Sequence, residues 1–151
     1  MTKNISVFGL GKLGASMVAC LASRGFNIIG VDVLSKSVSL LNRGDAPVQE
    51  TGLDELIKAN KNLIRATENV QDAINSSEVS FVIVPTPSDS RGAFEIQYVA
   101  HAFKNIGRAL RNILKEDNTP SSRTFFKWLD EDTSKVKRYA RATELRSDCM
   151  F

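Results

Sequence analysis

The chain has 151 residues, 42% hydrophobic and 25% charged, which suits one ordinary globular domain with a sizeable core and leaves no room for two full domains. Its net charge of +3 at pH 7 comes from basic residues scattered among acids, with no stripe of Lys and Arg interleaved with aromatics, so nucleic acid is not expected as a partner. No apolar run reaches the ~20 residues that span a bilayer, no leader pattern precedes the first apolar strand, and Cys20 and Cys149 fit neither a metal-ligand spacing nor a disulfide framework; a reduced, cytoplasmic setting without membrane or metal is expected.

Ile5, Val7 and Phe8 mark a short strand over residues 4–8, followed by Gly9, Gly11 and Gly14 in the spacing Gly-x-Gly-x-x-Gly. Between a strand and a helix, the first glycine of such a set lets the chain turn sharply, the second lets the backbone approach a pyrophosphate, and the third lets the helix lie close to the strands. The helix then aims free N–H groups and the positive end of its dipole at the diphosphate. Glycines at this spacing also occur in a plain strand–helix–strand unit, and the surroundings decide between the two. Leu13, Met17, Cys20 and Leu21 fall on one helical face, read as the packing face, and Gly25 is placed to stop the helix in a left-handed cap. Residues 26–31 form a second buried strand. Asp32 ends it, where a carboxylate accepts hydrogen bonds from a ribose diol and repels a 2′-phosphate, which favours NAD over NADP.

Ser35 is expected to cap a helix carrying Val38 and Leu41 that stops at Gly44, and Pro47 and Gly52 mark a loop. Leu53, Leu56 and Ile57 form a short apolar face behind Asp54 and Glu55, two acids suited to a first helical turn. A brief third strand is expected over residues 63–66, then a helix capped by Thr67 and carrying Val70, Ala73 and Ile74. Residues 79–84 give the strongest strand signal in the chain, and Pro85-Thr86-Pro87 ends it because proline donates no ladder hydrogen bond. Past a polar, flexible loop over residues 88–93, Ile96, Val99, Phe103, Ile106 and Leu110 repeat at helical spacing from about residue 95 to 111. His101 lies in that helix with no cysteine or second histidine nearby and reads as structural.

Strands alternating with helices imply an α/β fold, a Rossmann-like doubly wound parallel sheet, here incomplete with strand order 3-2-1-4. That order brings the glycine turn, Asp32 and Pro85-Thr86-Pro87 to one rim, at the carboxyl ends of the strands. The candidate cofactor site is therefore Gly9, Leu10, Gly11, Lys12, Leu13 and Gly14 with Asp32, Pro85 and Thr86, and the expected ligand is NAD.

Ser-Val-Phe-Gly-Leu-Gly, Gly-Val-Asp, Leu-Leu-Asn-Arg-Gly, Glu-Thr-Gly-Leu, Leu-Ile-Arg-Ala-Thr and Val-Pro-Thr-Pro-Ser-Asp follow one another from residue 3 to about 111. In that order they resemble the N-terminal domain of the UDP-glucose/GDP-mannose 6-dehydrogenases, NAD-dependent enzymes that oxidise a nucleotide sugar to its uronic acid. The resemblance implies that Gly9, Gly11 and Gly14 hold the pyrophosphate, that Asp32 holds the adenosine ribose and that Thr86 borders the cofactor. Lys12 stands where the family often has tyrosine, and its ammonium either approaches the pyrophosphate or points to solvent. Thr51 replaces the proline of the family's Glu-Pro-Gly-Leu, and Lys36 and Ser37 do not reproduce the basic residue that often follows the ribose acid, so neither is assigned a contact. A related β-hydroxyacid dehydrogenase shares the glycine turn but not the Pro-Thr-Pro stretch.

The resemblance also implies a fifth strand, a sixth, a central helix and a sugar-nucleotide domain with catalytic cysteine and lysine, none of which is recognisable in residues 112–151. Those residues are read as a divergent tail with an aromatic cluster, Phe125, Phe126 and Trp128, so the expected division is 1–111 and 112–151. Cys149 near the last residue is not read as the family's nucleophile, because a thiolate nucleophile needs a depressed pKa and a fixed position. The fourth strand's outer edge is expected to be covered by residues 123–129 or by a second copy of the chain. The functional expectation is the NAD-binding portion of a nucleotide-sugar dehydrogenase with no catalytic residues of its own, needing a complementary chain for turnover. The alternative is a non-catalytic dinucleotide-binding or self-association module.

Overall fold

The computed structural model describes residues 3–88, 92 and 94–117. Four strands form one parallel sheet: β1 (Asn4–Phe8), β2 (Asn27–Val31), β3 (Ile64–Thr67) and β4 (Val79–Val82), in the order β3-β2-β1-β4. This is the expected order. Five helices accompany them: α1 (Lys12–Ser23), α2 (Ser35–Arg43), α3 (Leu53–Ala59), α4 (Val70–Asn75) and α5 (Gln97–Asp117). The chain divides into two units, Met1–Leu110 and Arg111–Phe151. The sheet belongs to the first; of the second, the described part is the end of α5. The aromatic cluster, the segment expected to cover the strand edge and Cys149 lie outside the described residues.

β1 is the central strand, with Ile5 in register with Ile28 of β2 on one side and Val79 of β4 on the other. Successive side chains of a strand point to opposite faces. Ile5 and Val7 enter a core shared with Ala15, Val18, Ala19 and Ala22 of α1, Val38 and Leu41 of α2, and Leu53 and Ile57 of α3. Ser6 and Phe8 point the other way, where Ala73 and Ile74 of α4 and Ile106 and Ala109 of α5 are buried. Right-handed crossovers explain the split, since reversing direction after β3 carries α4 to the opposite face. The buried Ser6 hydroxyl is satisfied there by Ser80 Oγ at 2.7 Å and Ser77 Oγ at 3.0 Å.

Helix ends follow local chemistry. Gly25, at φ +85°, closes α1 while the Phe26 amide donates to Leu21 O, and Gly44, at φ +91°, closes α2. Ser35 does not cap α2: it is the first helical residue, no side chain caps that end, and Leu34 holds the cap position. Asn69, rather than Thr67, caps α4, accepting from the Asp72 amide at 3.2 Å, because β3 runs through Thr67 and ends one residue later than expected.

Two apolar faces also differ from expectation. On α1 the buried residues are Gly14, Ala15, Val18, Ala19 and Ala22, whereas Leu13 and Cys20 are exposed and Met17 and Leu21 are half-buried. The helix lies so close to the sheet that small side chains must face it. On α5, among the residues whose side chains are described, Ile106 and Ala109 are the buried ones, and Ile96, Phe103 and Leu110 of the expected stripe are exposed. Among the described residues β4 is the terminal strand, so nothing there covers that side of the helix; Val79 is 40% exposed and Phe81 36%.

Candidate functional site

The glycine turn is wedged between the ends of β2 and β4, where the strand order reverses. Gly9 adopts φ +97° and its amide donates to Val31 O at 2.7 Å. A Cβ on Gly9 would lie 2.0 Å from the carbonyl oxygen of Ile83, which itself donates its amide to Phe8 O at 2.8 Å, so the ladder between β1 and β4 continues one residue past Val82. A Cβ on Gly14 would lie 1.8 Å from Gly9 O. Both positions exclude any side chain, for backbone reasons alone.

Gly11 is different. It is the cap residue of α1 at φ −69°, with nothing within 4 Å of the position a Cβ would take. No side chain caps this helix and no acid stands in its first turn. The first amides of a helix have no intrahelical acceptor, and here they stand at the positive end of a 12-residue helix. The space beside Gly11 and these amides suit an anion approaching the backbone.

Leu10 anchors the turn. Its side chain is buried against Gly30, where a Cβ would meet Leu10 Cδ2 and Leu41 Cδ2 at 2.9 Å each. Its amide points the other way and donates to Asp32 Oδ2 at 2.6 Å, while the Leu34 amide donates to Asp32 Oδ1 at 2.9 Å. The half-buried carboxylate is thus fixed at the end of β2 by two backbone donors. Each carboxylate oxygen accepts more than one hydrogen bond, which leaves Asp32 able to take a vicinal diol as well.

Pro85 and Thr86 are exposed, two and three residues beyond Ile83 at the same carboxyl-terminal end of the sheet. Leu13 is exposed on the first turn of α1. Lys12 is exposed and makes an ion pair, its Nζ 3.1 Å from Glu50 Oε1. Between the turn and residues 46–54 is an open cavity of about 480 Å³, lined by Lys12, Val48, Glu50, Thr51 and Asp54 among others. The sequence singled out Glu50 only as part of Glu-Thr-Gly-Leu; nothing in its spacing ties it to Lys12. Among the described residues no group of three or more His, Cys, Asp or Glu side chains could hold a metal, and no helix is long and apolar enough to cross a membrane.

A parallel sheet of order 3-2-1-4, with a glycine turn at its reversal point and an acid held against that turn from β2, defines a dinucleotide-binding unit of Rossmann type. Residues 3–123 match the model of the UDP-glucose/GDP-mannose dehydrogenase family, NAD binding domain, which extends past the resemblance read to about residue 111. GDP-mannose 6-dehydrogenase of Pseudomonas savastanoi pv. phaseolicola is 37% identical over 110 residues, 72% of this chain and 25% of that protein. Among solved structures, GDP-mannose dehydrogenase of Pseudomonas aeruginosa in a ternary complex aligns at TM-score 0.69 with 38% identity, covering 71% of this chain and 25% of that one. UDP-glucose dehydrogenase of Pyrobaculum islandicum aligns at 0.69 with 27% identity, over 74% of this chain and 26% of that one. The chain belongs to the UDP-glucose/GDP-mannose dehydrogenase family, as a partial NAD-binding domain, and spans about a quarter of the length of the relatives it matches. A second family model, bacteriophage Sf6 terminase small subunit-like, matches residues 105–151 and overlaps the first over residues 105–123.

Proposed function

We propose that this chain binds NAD at the glycine turn and serves as the cofactor-binding portion of a nucleotide-sugar 6-dehydrogenase, without turning over substrate by itself. The observation that carries the reading is Asp32, fixed against the turn by the Leu10 amide. In that position its carboxylate takes the 2′- and 3′-hydroxyls of the adenosine ribose and repels the 2′-phosphate of NADP. Gly9, Gly11 and Gly14 admit the pyrophosphate, with the backbone of Leu10, Lys12 and Leu13 around it, and Pro85 and Thr86 border the cofactor from β4.

Oxidation of an alcohol to an acid through two hydride transfers needs a base, a nucleophile for the aldehyde-level intermediate and a pocket for the sugar nucleotide. The relatives have about four times the matched length in which to supply them, so turnover here requires a complementary chain or segment. A cytoplasmic setting agrees with the exposed free thiol of Cys20. We place the cofactor domain at residues 1–111 and the divergent tail at 112–151. Calorimetric titration with NAD and NADP, with Asp32→Ala as control, tests the reading: saturable NAD binding that the variant loses supports it, and a folded chain blind to both cofactors refutes it.

A second reading, a non-catalytic module that associates with itself, draws on the match of residues 105–151 to a family other than the dehydrogenases. Light scattering on the purified chain tests it, and a monomer at all concentrations removes it.

A further inference from the structure

Lys12 occupies the first position of α1, between the second and third glycines of the turn, where its charge opposes the positive end of the helix dipole. With no acid in that first turn, the counter-charge comes from elsewhere: Glu50, whose Oε1 is 3.1 Å from Lys12 Nζ. Glu50 is not on a free strand of chain. Its carbonyl accepts the Leu53 amide at 3.2 Å where α3 begins, and Asp54 in α3 accepts the Ala46 amide at 3.0 Å, which closes the loop behind it. The pair therefore bridges two separately anchored segments, and both residues line the 480 Å³ cavity. Its side chains are 79% and 37% exposed, the setting in which an ion pair is weak and easily exchanged.

A diphosphate arriving at the end of α1 brings two negative charges to the neighbourhood of the same ammonium. One exposed carboxylate is a poor competitor for it. We propose that Glu50 is a resident counter-ion that holds Lys12 away from the turn in the free protein and yields it to the pyrophosphate of the bound dinucleotide. The closed Lys12–Glu50 bridge and the Lys12–pyrophosphate contact exclude one another, so Glu50 lowers cofactor affinity and cofactor binding frees the 46–54 loop from the turn. The inference rests on the cofactor reading above, and adds to it a competitor within the chain.

The test is a double-mutant cycle read by calorimetric titration of the full chain with NAD: wild type, Glu50→Gln, Lys12→Met and both together. Both substitutions are at exposed side chains, and each variant's cooperative melting confirms its fold. Glu50→Gln is expected to tighten NAD binding about two- to fivefold, the range that an exposed pair is worth. Lys12→Met weakens binding, and Glu50→Gln then brings no gain in the Lys12→Met background. An equal gain with and without Lys12 would mean plain repulsion between Glu50 and the cofactor and would overturn the exchange, as would the absence of any gain. Saturable NAD binding that ignores Glu50 thus sinks this inference alone, whereas four folded chains that bind no NAD sink the cofactor reading and the exchange with it.

Discussion

The Asp32 carboxylate accepts the Leu10 amide at 2.6 Å, and that bond joins the acid ending β2 to the turn that opens α1. Because Leu10 also buries its side chain in the core, the acid is positioned from inside the molecule. Asp32→Ala leaves the Leu10 and Leu34 amides without this acceptor. Loss of charge-assisted hydrogen bonds of this kind is expected to lower stability by about 1–3 kcal/mol in urea unfolding. NAD affinity is expected to fall at least about tenfold, the equivalent of 1.4 kcal/mol, while discrimination against NADP narrows.

The glycines of the turn predict opposite phenotypes. Gly9→Ala must hold a side chain at φ +97° with its Cβ against the Ile83 carbonyl, so strain and overpacking together are expected to cost about 2–5 kcal/mol. Gly11→Ala meets nothing within 4 Å and has an ordinary φ of −69°, so it should lose only the small amount that alanine costs at a helix cap and melt close to wild type. If the pyrophosphate sits over Gly11, that variant nevertheless loses NAD affinity. Thermal melts and titrations of the two variants side by side separate the roles.

Helix α1 offers a test of its own packing face. Val18 is fully buried, and Val18→Ala is expected to cost about 1–3 kcal/mol. Leu13→Ala, at a residue 70% exposed, should stay within about 0.5 kcal/mol. In a Cys149→Ser background, Cys20 is expected to react with a thiol reagent in the native protein without prior unfolding.

The Asp54–Lys58 pair in α3 gives a pH signature. The hydrogen bond from Lys58, and secondarily the Ala46 amide, holds the Asp54 carboxyl below its ordinary 3.8, and the same bond raises Lys58 above 10.5. A depressed acid stabilises the fold above its unfolded value, and that contribution is lost as pH falls through the lower folded value. A raised base does so below its unfolded value and loses the contribution as pH rises past it. The difference in melting temperature between wild type and Asp54→Asn is therefore expected to be small and flat between pH 3.8 and 10.5 and to shrink outside that window.

The glycine–acid pair was legible in the sequence because it is written locally, as a strand, a glycine spacing, a helix, a strand and an acid within residues 4–32, and the sheet order followed from strands alternating with helices under right-handed crossovers. Packing faces were not. Residues 13, 17, 20 and 21 have helical spacing, but the close approach at Gly14 admits alanines and turns Leu13 and Cys20 outward, a constraint set by distance rather than by period. Thr67 and Asn69 are both capping residue types, and the extra residue in β3 selects the second. Lys12 and Glu50 meet because of the path taken by the loop before α3, which no local pattern encodes.

The central position of β1 has a consequence for synthesis. Residues 4–8 are made early, yet one of their two partners is residues 79–82, with β2, β3 and four helices lying between in the chain. Loop closure over such a span is the slow kind of contact to form. A growing chain can pair β1 with β2 as soon as residue 31 is clear of the ribosome, but Gly9 gains its wall only when Ile83 emerges. Until then the strand that becomes the middle of the sheet is one of its edges, and the dinucleotide turn has a floor without a side.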